Sequence, residues 1–166
     1  MKSNPLIVTD AGPLIVFARI GVLSLLSELF EQVLVPEAVI KECTTPTTAP
    51  GATEINQAVK AGSLTVTTIQ PSSTLHSLER VLDDGEAAAI ALAEQKNCSV
   101  LIDEKKGRKA AIRKNIDIVG SGMILVKAKQ KGLISEVAPL LEKMKQCGYR
   151  LSADIYHQIL KIASEE

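Results

Sequence analysis

Two short apolar runs in this chain each end on an aspartate at the point where helix signals begin. Leu6-Ile7-Val8-Thr9 is closed by Asp10-Ala11-Gly12-Pro13, and Ser99-Val100-Leu101-Ile102 is closed by Asp103. Runs that are apolar throughout, rather than alternating, suit strands buried on both faces, the environment of a parallel sheet covered by helices. Such a sheet aligns the carboxyl ends of its strands, and ligands of open parallel sheets bind outside those ends. If the two strands are neighbours, Asp10 and Asp103 face each other across one crevice.

The rest of the chain continues the alternation. Leu14 to Phe30 reads as two short helices broken near Gly21, Val33 to Val35 as a second strand, and Pro36 as the opening of a helix from Glu37 to Cys43. Thr44 to Gly51 (TTPTTAPG) holds two prolines and four threonines without apolar period, so it is expected to be an exposed, mobile loop. A helix over Ala52 to Ala61 stops at Gly62, a strand follows over Leu64 to Thr67, and a helix over Ser73 to Leu82. Asp83-Asp84-Gly85-Glu86 carries helix-start chemistry for an Ala-rich helix that runs to about Lys96. Beyond Asp103 come a basic helix from Lys105 to Asn115, a strand from Ile116 to Val119, and Gly120-Ser121-Gly122 leading into a helix from Met123 to Lys131. Gly132 stops that helix, and two more are expected at about Ser135 to Gln146 and Ser152 to Ala163, with Ser152 as N-cap. The pattern predicts a three-layer α/β/α fold with a mostly parallel central sheet and extra C-terminal helices. At 166 residues the length favours one domain over 1–166, with a core over about 5–134 and a helical extension over about 135–166.

Composition matters here for what it excludes. Nineteen Lys and Arg balance nineteen Asp and Glu, so no global field draws the chain to nucleic acid or to an anionic membrane, and RNA binding needs a local patch. The three cysteines are widely spaced and form no C-x-x-C pair, which argues against a disulfide framework or a zinc site and for a reducing compartment. The start of the chain has Lys2 and then an apolar run broken by Asp10 and Gly12, unlike a signal peptide. No run reaches the length of a membrane helix, so a cytoplasmic protein is expected.

Adjacent carboxylates repel unless a cation sits between them, and an all-oxygen donor set suits Mg²⁺ or Mn²⁺. Glu86 falls in the first turn of a helix, where the macrodipole favours an acid, and Glu42 ends a short helix that starts directly after a strand. Each acid alone also has an ordinary structural reading: a cap, a first-turn acid, a solvated surface residue. The set says more than its members.

The segments Val8 to Leu14, Val35 to Glu42, Gly85 to Ala93 and Leu101 to Arg108 resemble, in order, the acidic motifs of the PIN-domain superfamily. The closest likeness is to its DUF3368 branch of VapC-like proteins, and it extends over Gly120 to Ile134 and the helical tail through Leu160. The resemblance implies a metal-dependent endoribonuclease that hydrolyses RNA phosphodiester bonds, in one form the toxin of a toxin–antitoxin pair. It implies a catalytic pocket of Asp10, Glu42, Glu86 and Asp103, with Asp10, Asp103 and Glu86 as ligands of Mg²⁺ or Mn²⁺, and Glu104 as an additional acid. Glu86 and Glu104 stand where many PIN ribonucleases carry Asp, which moves each carboxylate by roughly one C–C bond and keeps open an alternative, a catalytically silent module that binds RNA or a protein partner. Implied partners are RNA, an antitoxin protein and a second copy of the chain, with no membrane.

Lys105, Lys106, Arg108, Lys109, Arg113 and Lys114 form a basic cluster that begins directly after Asp103, the one candidate RNA-binding patch. Ser121 and Thr9 lie near the same rim, with Ser121 the stronger candidate for a nucleic-acid contact. Other strand-end-aspartate folds fit less well. A receiver domain wants a paired acidic dipeptide and a late strand-end lysine, a haloacid-dehalogenase-type phosphatase wants Asp-x-Asp where this chain has Asp10-Ala11-Gly12, and a dinucleotide site wants a third glycine that Gly120-Ser121-Gly122 does not provide.

Overall fold

Alternate residues of each buried strand feed opposite sides of one sheet, and this sets the layers. In the computed structural model, which describes residues 5–166, the strands are β1 (Leu6–Thr9), β2 (Gln32–Pro36), β3 (Thr65–Thr67), β4 (Ser99–Leu101) and β5 (Ile118–Val119). Lys2, the basic residue ahead of the first run, lies outside the described residues. Ile7, Val33, Val35 and Leu101 join one hydrophobic cluster, while Val8, Leu34, Val100 and Ile102 join the other. The sheet thus has helices on both faces, the expected three-layer α/β/α arrangement.

The order is β3-β2-β1-β4-β5, and every pairing is parallel. The chain builds outward from β1 through β2 to β3 and then returns to β1's other side with β4. The strand order therefore reverses between β1 and β4, and the crevice at such a switch point is where open α/β sheets bind ligands. Thr9 is in register with Leu101, and the Asp10 N–H donates to the Leu101 carbonyl at 3.0 Å, so the two strand-end aspartates emerge side by side.

One face carries α5 (Ser73–Glu79), α6 (Asp84–Lys96) and α7 (Lys105–Arg113). Helix α6 buries Ala87 to Ala93 without a break, and the run of alanines lets it sit close under the strands as a helix apolar on all sides. The other face carries α1 (Ala11–Arg19), α2 (Ser24–Leu29), α3 (Glu37–Thr44), α4 (Ala52–Ala61), α8 (Ser121–Gln130), α9 (Ala138–Gln146) and α10 (Ala153–Ile162). The C-terminal helices share this core: Leu141, Met144, Ile159 and Leu160 join the cluster that contains Ile7 and Phe17.

Three helix starts differ from the sequence reading. Helix α1 begins at Ala11, which leaves Pro13 in the first turn, where its missing N–H breaks no bond. Helix α9 begins at Ala138 rather than Ser135, because Pro139 favours the first turn and the Glu165 carboxylate accepts the Val137 and Ala138 N–H groups at 2.7 and 2.9 Å. Helix α8 begins at Ser121, two residues early, for a reason that belongs to the site.

Leu101 is fully buried in β4, two residues before Asp103. Leu101→Ala is expected to cost about 3 kcal/mol and to lower Tm by roughly 6–12 °C in a thermal melt.

Candidate active site

At the carboxyl edge of the sheet lies a cavity of about 510 Å³ whose wall includes Asp10, Glu42, Asp83, Glu86, Asp103, Glu104, Lys105, Tyr149 and Arg150. All four acids that the sequence nominated reach it, and so does Glu104.

Asp10 occupies the N-cap position of α1, yet its side chain does not cap the helix and faces the cavity instead. It is 7% exposed. Burial pushes its carboxyl up to about 6 from 3.8; the Ala11 N–H opposes this, and the charges of Glu42, Asp83 and Asp103 add to it. Thr9, which the sequence placed at the rim, is buried, and its hydroxyl donates to the Asp10 carbonyl at 3.0 Å.

Glu86 sits in the first turn of α6, whose N-cap Asp83 accepts the Glu86 N–H at 2.8 Å. The Glu86 carboxyl is pushed up to about 7, first by burial, then by a hydrogen bond to Asp83 and the charges of Asp83 and Asp10. Its Oε2 is buried with no hydrogen-bond partner. Helix α3 delivers Glu42 at the exposed rim, where partial desolvation and the Asp83 charge raise its carboxyl. Gly85 permits this convergence: a Cβ there would stand 2.8 Å from Glu42 Oε1 and 3.7 Å from Asp83 Oδ1. Gly107 does the same on the far side, where a Cβ would stand 2.5 Å from Ile102 Cδ1 and 3.3 Å from Glu86 Oε2.

Asp103 follows β4 and is fastened at both oxygens. The Ser121 N–H donates to Oδ1 at 2.8 Å and the Ser121 hydroxyl donates to Oδ2. The carboxylate therefore caps α8, which explains the early start of that helix and places an acid where the macrodipole favours it. Ser121, expected to meet nucleic acid, is instead fully buried and committed to Asp103.

The basic helix divides by face. Gly107, Ala110 and Ala111 are buried, while Lys105, Lys106 and Lys109 are exposed and Arg108 is half-buried. A second cavity, of about 640 Å³, continues from the first and shares Asp103, Lys105, Tyr149 and Arg150 with it. Its rim carries Arg108 and Lys109, and its floor carries Ile112, Ile155 and Ile162, three of the larger exposed apolar side chains. Lys106, Arg113 and Lys114 line neither wall.

Sequence reasoning missed Asp83, Tyr149 and Arg150. Asp83 had a local signal, since an Asp three residues ahead of Glu86 is a capping pattern. Tyr149 and Arg150 arrive from the α9–α10 turn, and nothing in their own neighbourhood marks them.

The donors suit a hard divalent cation: all are carboxylate oxygens, Asp10 and Glu86 are raised first by burial and then by neighbouring acids, and one buried oxygen has no partner. Among the described residues no three His, Cys, Asp or Glu side chains are grouped closely enough to hold a metal ion between them. Mg²⁺ takes only one or two carboxylates and keeps several waters, so neighbouring strand-end aspartates with room for solvent fit it. Among the described residues no helix is long and apolar enough to cross a membrane. No curated protein matches the chain. The DUF3368 family model, described as a PIN domain, matches residues 6–165, and with nearly all of its length matched the chain belongs to the PIN-domain family.

Proposed function

We propose that the chain is a divalent-metal-dependent endoribonuclease. PIN domains are generally nucleases, and the observation that carries the reading is the convergence of Asp10, Glu42, Glu86 and Asp103 on one cavity, with Glu86 Oε2 unpartnered. Asp10 and Asp103 would hold Mg²⁺ or Mn²⁺, which when bound lowers the pKa of water and neutralises charge on a phosphodiester; Glu86 lines the same cavity but, among the described residues, does not group with them as a third ligand, a correction to the three-acid set that the resemblance implies. Asp10 and Asp103 bind from the strand ends, and the Ser121 bonds keep Asp103 from rotating. Glu42, at the open rim, is placed to orient the attacking water and take its proton. Glu86, with Asp83 beside it, holds a proton near neutral pH that can pass to the leaving oxygen. Lys105, Arg108 and Lys109, on the walls of the two cavities, would meet phosphates on either side of the scissile bond, with the exposed Lys106 beside them on the same helix. The same reading makes the chain a candidate toxin of a toxin–antitoxin pair, with an antitoxin protein or a second copy of itself as partner.

A silent binding module is favoured by one observation, that among the described residues no three acids are grouped around a single point. The two readings separate when purified protein meets a mixture of structured and single-stranded RNAs with Mg²⁺ or Mn²⁺, beside Asp103→Asn and an EDTA control. Cutting that needs metal and vanishes in Asp103→Asn establishes the nuclease; divalent binding without cutting selects the silent module.

A further inference from the structure

One face of α7 lines the second cavity with Lys105, Arg108, Lys109 and Ile112, spaced i, i+3, i+4 and i+7. The two lysines are exposed, but Arg108 is half-buried. Its guanidinium is set against Gly120, the N-cap of α8, where a Cβ would stand 2.8 Å from Arg108 Nη1 and 3.4 Å from Asp103 Oδ1. The methyl group that glycine lacks thus leaves a space shared by this guanidinium and the carboxylate that follows β4. The two do not pair. Among the described residues the guanidinium has no hydrogen-bond or ion-pair partner, whereas both Asp103 oxygens accept from Ser121. Asp103 belongs to both cavities, so Arg108 stands where they meet, with its planar fork of N–H donors unspent.

We propose that Arg108 is a catalytic residue, contacting the scissile phosphate itself rather than a flanking one. The inference rests on the reading of the acid cavity as the phosphodiester-cleaving site and deepens it. In the hydrolysis, the water oxygen bonds to phosphorus as the bond from phosphorus to the leaving sugar oxygen breaks. The proton of the water goes to Glu42, and the leaving oxygen takes one from Glu86. Negative charge gathers meanwhile on the non-bridging oxygens. Arginine keeps its own proton throughout, and its fork spans two such oxygens as the point charge of a lysine does not. Donors held in place for charge that develops only in the transition state raise rate more than affinity. The exposed Lys105 and Lys109, which nothing sets against the acid, supply affinity instead.

The test reads, in the full chain, the single-turnover rate of cleavage of a labelled single-stranded RNA with Mn²⁺, the affinity for the same RNA in EDTA, and the affinity for Mn²⁺ by calorimetry. Arg108→Lys, Gly120→Ala and the double variant are compared with the wild type, each with a thermal melt. Gly120 has φ −96° and ψ 162°, a backbone that alanine adopts, so the added methyl group pushes the far end of Arg108 aside, meets Asp103 at ordinary contact distance and leaves every charge in place. Each single change is expected to slow cleavage about 100-fold with both affinities nearly unchanged. The double variant should be no slower than either, because both changes act through one guanidinium. A loss of RNA affinity in Arg108→Lys that matches its loss of rate makes Arg108 an ordinary strand contact and overturns the inference. So do weakened Mn²⁺ binding in Arg108→Lys, which would make it a partner of Asp103, and losses that multiply in the double variant. Cleavage at the full rate in either single variant overturns it while the nuclease reading stands; a wild type that cuts no RNA sinks both.

Discussion

In metal-free buffer near neutral pH, Asp10→Asn is expected to melt about 4–8 °C above the wild type while losing metal-dependent RNA cleavage by more than about 100-fold. Stability and activity move in opposite directions because the same burial serves one and strains the other. The Asp10 carboxyl rises from 3.8 to about 6 on folding. Two pH units correspond to about 3 kcal/mol against the charged form. Asn keeps the shape of the side chain, removes the charge, and recovers about 2 kcal/mol of that cost, which for a chain of this size is the stated rise in Tm.

The pH dependence has a definite sign. An acid whose pKa is higher folded than unfolded binds its proton more tightly in the folded state. Its contribution is fully present below the unfolded value near 4 and is lost as pH rises through about 6 for Asp10 and about 7 for Glu86. The metal-free wild type should therefore lose stability from mildly acidic to neutral pH, and Asp10→Asn should lose less over the same range. A divalent ion that binds only the folded state reverses the loss, by about 2.7 kcal/mol at a hundred times its Kd. That rescue should be large in the wild type and small in Asp10→Asn. A variant that melts below the wild type, or one that Mn²⁺ stabilises equally, would remove Asp10 from the cation site.

The parts of the fold that were legible in the sequence are those where one local signal had one meaning. Ile7 to Thr9 and Ser99 to Leu101 are buried throughout and mostly apolar because β1 and β4 are interior strands, and the aspartates that follow them mark the switch point. The Ala-rich stretch after Asp83 could only be a helix packed closely on a sheet. Helix starts were less legible, because a start is set by whatever satisfies its free N–H groups, and at α8 and α9 those partners are Asp103 and Glu165, distant in sequence. The same limit explains Tyr149. Its side chain joins the cavity wall only once α10 has packed on α8, with Ile159 against Gly122, and no periodicity within the α9–α10 turn encodes that approach. Ser121 was legible as a residue of the rim but not in its role, since a hydroxyl can serve a phosphate or a neighbouring carboxylate equally well until the geometry decides.

Replacing Lys105, Arg108, Lys109 and Arg150 together by Ala should abolish most of the salt dependence of RNA binding. With nineteen charges of each sign the chain has no net field, so phosphate attraction must come from the rim of the paired cavities, where these four cations stand. Four phosphate contacts to a single strand give a slope of log affinity against log salt of about −3, a loss of about 50-fold between about 50 and 200 mM salt. Each cation removed should flatten the slope by roughly 0.7. Tyr149 is the one aromatic side chain on these walls and the floor beside it is isoleucine, so stacking adds little and the electrostatic share dominates. Measured in an Asp10→Asn background to prevent cutting, the quadruple variant should bind RNA with a nearly flat salt response. A slope that stays steep would put the strand on another surface, and the exposed Arg113 and Lys114 at the far end of α7 would be the next cations to remove.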